Sequence, residues 1–137
     1  MKSIVYLVAL LIAVMPFTSH AEDMMKDAMM EKEAKPTAVM FFSANCGSCK
    51  ILDPRMKEAL AGFEEGAIDV VVFDFTNKDA IATTTALAEE KGLTNVLQEY
   101  GARTGFVALV DKDGNIADKI NVSNDVEAIK TKLNALI

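Results

Sequence analysis

Cys46 and Cys49, the two cysteines of this 137-residue chain, stand three positions apart with only Gly47 and Ser48 between them. Three kinds of chemistry suit that spacing: a structural staple, a metal clamp, or a pair that exchanges bonds with other sulfurs. A staple across so small a loop restrains little unfolded-chain entropy and can carry strain. A zinc clamp needs two more ligands; the chain has no second cysteine pair, and its one histidine, His20, lies in a segment expected to be removed. Cu(I) is softer, and Met24, Met25, Met29 and Met30 upstream offer it thioethers. Sulfur exchange asks for a thiolate. An apolar run precedes Cys46 and helical spacing follows it, which places Cys46 at a helix N-terminus, where unpaired N–H groups and the helix dipole stabilise a thiolate. Cys46 would then attack a disulfide in a partner, and Cys49, about one turn on, would resolve the mixed disulfide by attacking Cys46. Exchange is the leading reading; a Cu(I) site and a redox-inert pair stay open.

The elements that must position this pair are legible from periodicity. Thr37 to Ser43 is an apolar run of β-forming type, suited to a strand covered on both faces. Ile51, Leu52, Met56, Leu60 and Phe63 follow at helical spacing, with Pro54 inside the helix as an expected kink. Ile68 to Phe75 reads as a second buried strand, Asp79 to Lys91 as a helix stopped by Gly92, and Thr94 to Tyr100 as one or two further helical turns. Phe106 to Val110 and Asn115 to Ile120 read as strands of a hairpin turning at Asp113-Gly114. The last helix is expected to be capped by Asn124, with Glu127 in the capping-box position and Val126, Ile129, Leu133 and Leu136 as its apolar face. The fold class is therefore α/β, in the order β-α-β-α-β-β-α: a mixed four-stranded sheet flanked by helices. Strands separated by helices are expected to pair in parallel, and the hairpin to add an antiparallel pair.

Residues 1–21 have the pattern of an export signal. Lys2 supplies a positive start, Ile4 to Phe17 an apolar run too short for the roughly 20 residues that span a bilayer, and Ser19-His20-Ala21 a cleavage site. Removal takes Lys2 and His20 and no acid, leaving 13 basic against 20 acidic residues, a net charge of −7. No nucleic-acid partner fits that balance. Residues 22–35, charged and methionine-rich, read as a linker or frayed helix before a domain over residues 36–137. Two cysteines cannot build a disulfide framework, so the fold must rest on its own core.

Cys46-Gly47-Ser48-Cys49-Lys50 after a hydrophobic strand, Pro54 in the following helix, and Tyr100-Gly101-Ala102-Arg103 leading into the hairpin give a plain likeness. From about Thr37 to Ile137 the chain resembles thioredoxin-fold proteins of the exported thiol-disulfide oxidoreductase type. The segment Asp74 to Asp79 is also similar to the C-terminal thioredoxin-like domain of the bacterial transmembrane thiol reductase. The resemblance implies Cys46 and Cys49 as a redox-active disulfide, Cys46 attacking and Cys49 resolving, with no bound organic cofactor and no resident metal. It also implies protein thiols and disulfides as substrates and another dithiol protein as electron donor or acceptor. A monomer, periplasmic or secreted and without stable membrane insertion once the signal is cleaved, completes the expectation.

Three positions depart from that family's pattern. Asn45 stands where an aromatic residue precedes the first cysteine, Met40 where a buried acid assists proton transfer, and Phe106, after Gly105, where a cis-proline presents backbone to substrate. Gly105 and Phe106 are thus the expected substrate-binding positions, and their peptide bond is expected to be trans, because a cis bond before a non-proline residue costs about 2.5 to 4 kcal/mol. A partner peptide adding there as a strand would meet a bulky aromatic. Loss of the proline also removes a guard against metal at the cysteines, which sustains the alternative of a Cu(I)-binding metallochaperone; a redox-inert docking module is the other. Asp74 could replace the missing acid or simply face water at a strand end. Lys50 could favour a thiolate by its charge, or be an ordinary exposed helix lysine. Asp111 to Asn115 lacks the glycine and glutamate of a calcium loop and reads as a turn, and Asn121-Val122-Ser123 matches a glycosylation acceptor.

Overall fold

Strand β1, Thr37–Phe42, is the spine of the sheet: its side chains are buried on both faces, Ala38 and Met40 on one and Val39 and Phe41 on the other. The computed structural model describes residues 34–137; the export signal assigned to residues 1–21, and the linker up to residue 33, lie outside the described residues. Helix α1, Gly47–Leu60, follows and runs through Pro54. Strand β2, Asp69–Asp74, pairs in parallel with β1. Helices α2, Lys78–Lys91, and α3, Thr94–Tyr100, lead to strands β3, Phe106–Val110, and β4, Ile116–Asn121, and helix α4, Val126–Asn134, closes the chain. The sheet order is β2-β1-β3-β4, four strands flanked by helices as expected.

β3 runs antiparallel to β1, against the parallel pairing expected of strands joined through helices. The reason lies in the connection. The 14 residues of α2 carry the chain back about 21 Å from the end of β2. Gly92, at φ 68°, stops the helix in the left-handed region that a Cβ disfavours. α3 and the Gly101 to Gly105 segment then bring the chain forward again, so β3 starts beside the C-terminal end of β1, with Phe106 opposite Phe41. A single crossover helix would have delivered β3 to the other end of the sheet.

The sheet separates two cores. One lies between the sheet and helices α1 and α4, and holds Met40, Leu52, Met56, Leu109, Ile129 and Leu133 with Cys49. The other lies under α2 and α3 and is largely aromatic: the Phe41 ring stacks on Phe106 at 4.6 Å and meets Phe73 edge-on at 5.4 Å and Tyr100 at 5.5 Å.

Several local readings change. β2 is not buried on both faces: it is an edge strand, and because α1 packs on α4 and β3, Val70 and Val72 stay half exposed. In α1 Ile51 is exposed, and the buried stripe is Cys49, Leu52, Met56 and Ala59. α4 is capped by Asp125, which accepts the Ala128 N–H, while the Asn124 side chain accepts the Asn121 N–H. In the hairpin only Gly114 has positive φ; Asp111 accepts from the Asp113 and Asn115 N–H groups, and those bonds, Asn115 foremost, hold its carboxyl below the usual range.

The two cores give a contrast in stability. Phe41→Ala should cost about 3 to 5 kcal/mol in denaturant unfolding, the range for a fully buried aromatic. Val72→Ala on the open face of β2 should change it by less than about 1 kcal/mol.

Candidate active site

β1 ends at Phe42, and the loop Ser43 to Asn45 turns the chain into α1. Cys46 is the cap residue of that helix, with extended backbone at φ −84° and ψ 110°. Its N–H donates to Ser43 O at 3.0 Å, and its Sγ accepts the Cys49 N–H at 3.2 Å. A sulfur thus takes the place that an oxygen of Ser or Asp fills at an ordinary helix start. The first turn of α1 carries no acid, so nothing opposes the positive helix end, and Lys50 is exposed on the next turn.

The structure shows the pair oxidised, with Cα atoms 5.3 Å apart. The two sulfurs have unequal surroundings. Cys46 is half-buried between exposed Asn45 and Gly47, whereas Cys49 is 0% exposed. Cys49 Sγ lies 3.5 Å from Phe41 O, an acceptor for its proton once the bond is opened. Of the two sulfurs, therefore, only Cys46 can be reached from outside the protein.

Gly105 closes on this pair. Its N–H donates to the same Phe41 O at 2.9 Å, its φ is 93°, and a Cβ built there would stand 2.9 Å from Ser48 Cβ and 3.3 Å from Cys46 Sγ. Only the bare backbone of a glycine fits so close. Phe106 behaves differently. Its ring points to the opposite face, stacks on Phe41 and lies 5.5 Å below the Lys119 ammonium. The bulky aromatic expected in the path of a docking strand is not beside the cysteines; what stands there is the Gly105 main chain. Every peptide bond among the described residues is trans, including that between Gly105 and Phe106.

Met40 packs in the same core as Cys49, in the place of a buried acid. Asp74, half-buried at the end of β2 opposite Phe42, does not simply face water. Its carboxylate accepts the Thr76 N–H at 2.9 Å and the Thr76 hydroxyl, and that hydroxyl accepts the Ala44 N–H at 3.0 Å. Thr76 and Thr84, which bonds the Asp74 backbone, were not singled out by sequence. The signal that could have found Thr76 is the Asp-x-Thr spacing of a carboxylate that bonds two residues onward. Among the described residues no group of three or more His, Cys, Asp or Glu side chains is placed to hold a metal, and the methionines named for Cu(I) lie outside the described residues. No helix among the described residues is long and apolar enough to cross a membrane.

The thioredoxin family model matches residues 17–89. No match was found among curated proteins. Solved structures with the same architecture include a thiol:disulfide interchange protein of the thioredoxin family from Chlorobium tepidum TLS, 14% identical at a TM-score of 0.53, covering 78% of this chain and 83% of that one. A thioredoxin-like protein from Clostridium perfringens is 20% identical at a TM-score of 0.54, covering 80% and 76%. The thioredoxin domain of a thiol-disulfide oxidoreductase from Bacteroides vulgatus is 16% identical at a TM-score of 0.51, covering 78% and 82%. At these identities the likeness is one of fold.

The closeness of Gly105 to the pair is open to a double-mutant cycle. Gly105→Ala should lower stability by about 1 to 3 kcal/mol through positive φ and the Ser48 contact. Adding Ser48→Gly should recover part of that loss, a coupling of at least about 0.5 kcal/mol in denaturant unfolding. Strict additivity would mean that the two residues do not meet.

Proposed function

This chain belongs to the thioredoxin family, and from that premise we propose that it is an exported thiol-disulfide oxidoreductase that exchanges the Cys46–Cys49 disulfide and dithiol with protein substrates. One observation carries the reading: a half-buried sulfur on the open N-terminus of α1, beside a second sulfur that solvent does not reach.

In the reducing direction the Cys46 thiolate attacks one sulfur of a substrate disulfide. A mixed disulfide forms and the other substrate sulfur leaves as a thiolate that takes up a proton. Cys49 then attacks Cys46 Sγ, giving its proton to the departing second substrate sulfur, and the Cys46–Cys49 bond closes. Two electrons have passed to the substrate; running the steps backward oxidises a dithiol. The substrate strand docks along the Gly105 and Phe106 backbone, where no side chain intervenes between it and Cys46. Another dithiol protein resets the pair. Export to the periplasm or the exterior is supported by the charged, apolar and small-residue pattern of residues 1–21, and N-terminal sequencing of the exported protein should begin at Glu22.

The activity is tested by reduction of insulin disulfides with dithiothreitol as electron source. The wild type should accelerate precipitation of the insulin B chain. Cys46→Ser should remove the acceleration, and Cys49→Ser should leave a mixed disulfide that survives in non-reducing gels. A wild-type rate equal to that of dithiothreitol alone would overturn the proposal.

A further inference from the structure

The loop that carries Cys46 has little packing of its own: Ala44 and Asn45 are exposed. Its backbone is held by two bonds, from the Cys46 N–H to Ser43 O within the loop and from the Ala44 N–H to the Thr76 hydroxyl, 32 residues away, at 3.0 Å. The second is the only one of the two that ties the loop to another part of the fold. The Thr76 hydroxyl has a single proton, and it goes to Asp74 Oδ1, leaving the oxygen's lone pairs to receive Ala44. The Thr76 N–H donates to the same Oδ1 at 2.9 Å, which fixes the Asp-x-Thr turn. Asp74 is held in turn by Thr84 of α2, whose hydroxyl accepts the Asp74 N–H at 2.9 Å and donates to Asp74 O at 3.0 Å. Thr84 is the one buried polar side chain among the described residues.

From this chain of bonds we infer that Thr76 and Asp74 are positioning residues for Cys46, a relay from carboxylate to hydroxyl to amide that fastens the cysteine loop to β2 and α2 and sets the reactivity of the sulfur. The inference rests on the proposed exchange function. When the Cys46–Cys49 bond opens, burial keeps Cys49 in place, while half-buried Cys46, at the rim of the same core, depends on its loop to keep its sulfur over the helix end. The Cys49 N–H stabilises the Cys46 thiolate as long as the loop holds Sγ above the helix end; a loop freed from Thr76 spreads that sulfur over positions where the amide does not reach it. The hydroxyl and the carboxylate therefore favour the reduced, anionic form of Cys46 without touching either sulfur. This role differs from that of a charge near the thiolate. Through space the Asp74 carboxylate would oppose a second anion, so the relay and the bare charge act in opposite senses.

That opposition decides the test. The full chain is reduced, the second-order rate of Cys46 alkylation by iodoacetamide is measured at pH 7, and the dithiol–disulfide equilibrium is measured against glutathione. Thr76→Val, nearly isosteric and without the hydroxyl, should slow alkylation about five-fold and shift the equilibrium toward the disulfide by a similar factor, the worth of one net hydrogen bond. Thr76→Ser should restore both to within about two-fold. Asp74→Ala reads the relay from its other end and should match Thr76→Val, while Asp74→Asn, which keeps an acceptor oxygen, should stay near the wild type. Thermal unfolding of each oxidised variant establishes that the fold is intact, and Asp74→Ala stands in if Thr76→Val does not fold. Thr76→Val at the wild-type rate, or Asp74→Ala and Asp74→Asn both faster than the wild type, would overturn the relay. A wild type that alkylates readily, responds to these substitutions and still fails to reduce insulin would sink the exchange function and leave the relay standing.

Discussion

A sulfur at the cap of a helix is the interaction on which this molecule's site depends. The Cys49 N–H can point at Cys46 Sγ only because Cys46 keeps an extended backbone while the next residue is already helical. That conformation needs the loop after β1 to turn sharply, and it needs a strand end from which to turn. The parallel pairing of β1 with β2 puts the C-terminal ends of both strands, and the helix starts that follow them, on one side of the sheet. β3 enters from that same side because α2 and α3 undo each other's travel, and its first neighbour on the way in is Gly105. Cysteine, open helix end and bare backbone thus come together through connection lengths, from segments nearly 60 residues apart.

Phe41 binds this arrangement to the cores. Its ring is at the centre of the aromatic layer under α2 and α3, stacked on Phe106, while its carbonyl oxygen accepts the Gly105 N–H and lies 3.5 Å from Cys49 Sγ on the other face. Burial of one side chain therefore fixes the backbone atom against which both the docking segment and the inner sulfur are set. The Phe106 ring helps from the same layer. A large residue follows Gly105 without crowding the cysteines because strand alternation sends it through the sheet to the far side.

Much of this was legible in the sequence, and the parts that were not share a physical cause. Apolar periodicity placed every element, since each buries a face, and the cysteine spacing at the strand-to-helix junction located the sulfurs. Periodicity says nothing of which neighbours cover a strand. Val70 and Val72 lie in the same kind of apolar run as Val39 and Phe41, and only the sheet order, with β2 at the edge, separates them. The direction of β3 was hidden for a related reason: α3 is a helix of seven residues whose role is to return the chain, and length alone does not reveal that. Nor did residue type reveal Thr76. A threonine between Phe75 and Asn77 looks like loop filler until Ala44 is brought to it by the fold.

Placing Met40 where a buried acid might have stood constrains the proposed chemistry. Thr84 is the one buried polar side chain among the described residues, and it is engaged with the Asp74 backbone. No carboxylate buried among the described residues can therefore take the proton of Cys49 inside the protein. The groups around Cys49 Sγ are the Phe41 carbonyl, which accepts a hydrogen bond but does not take a proton, and apolar side chains. Under the proposed exchange, resolution would couple two events: the sulfur leaving Cys46 would become basic as its bond breaks, close to the Cys49 proton. Proton and sulfur bond would then change places together, with the departing group part of the resolving step. In such a step the acidity of the substrate thiol would help to set how fast the mixed disulfide opens.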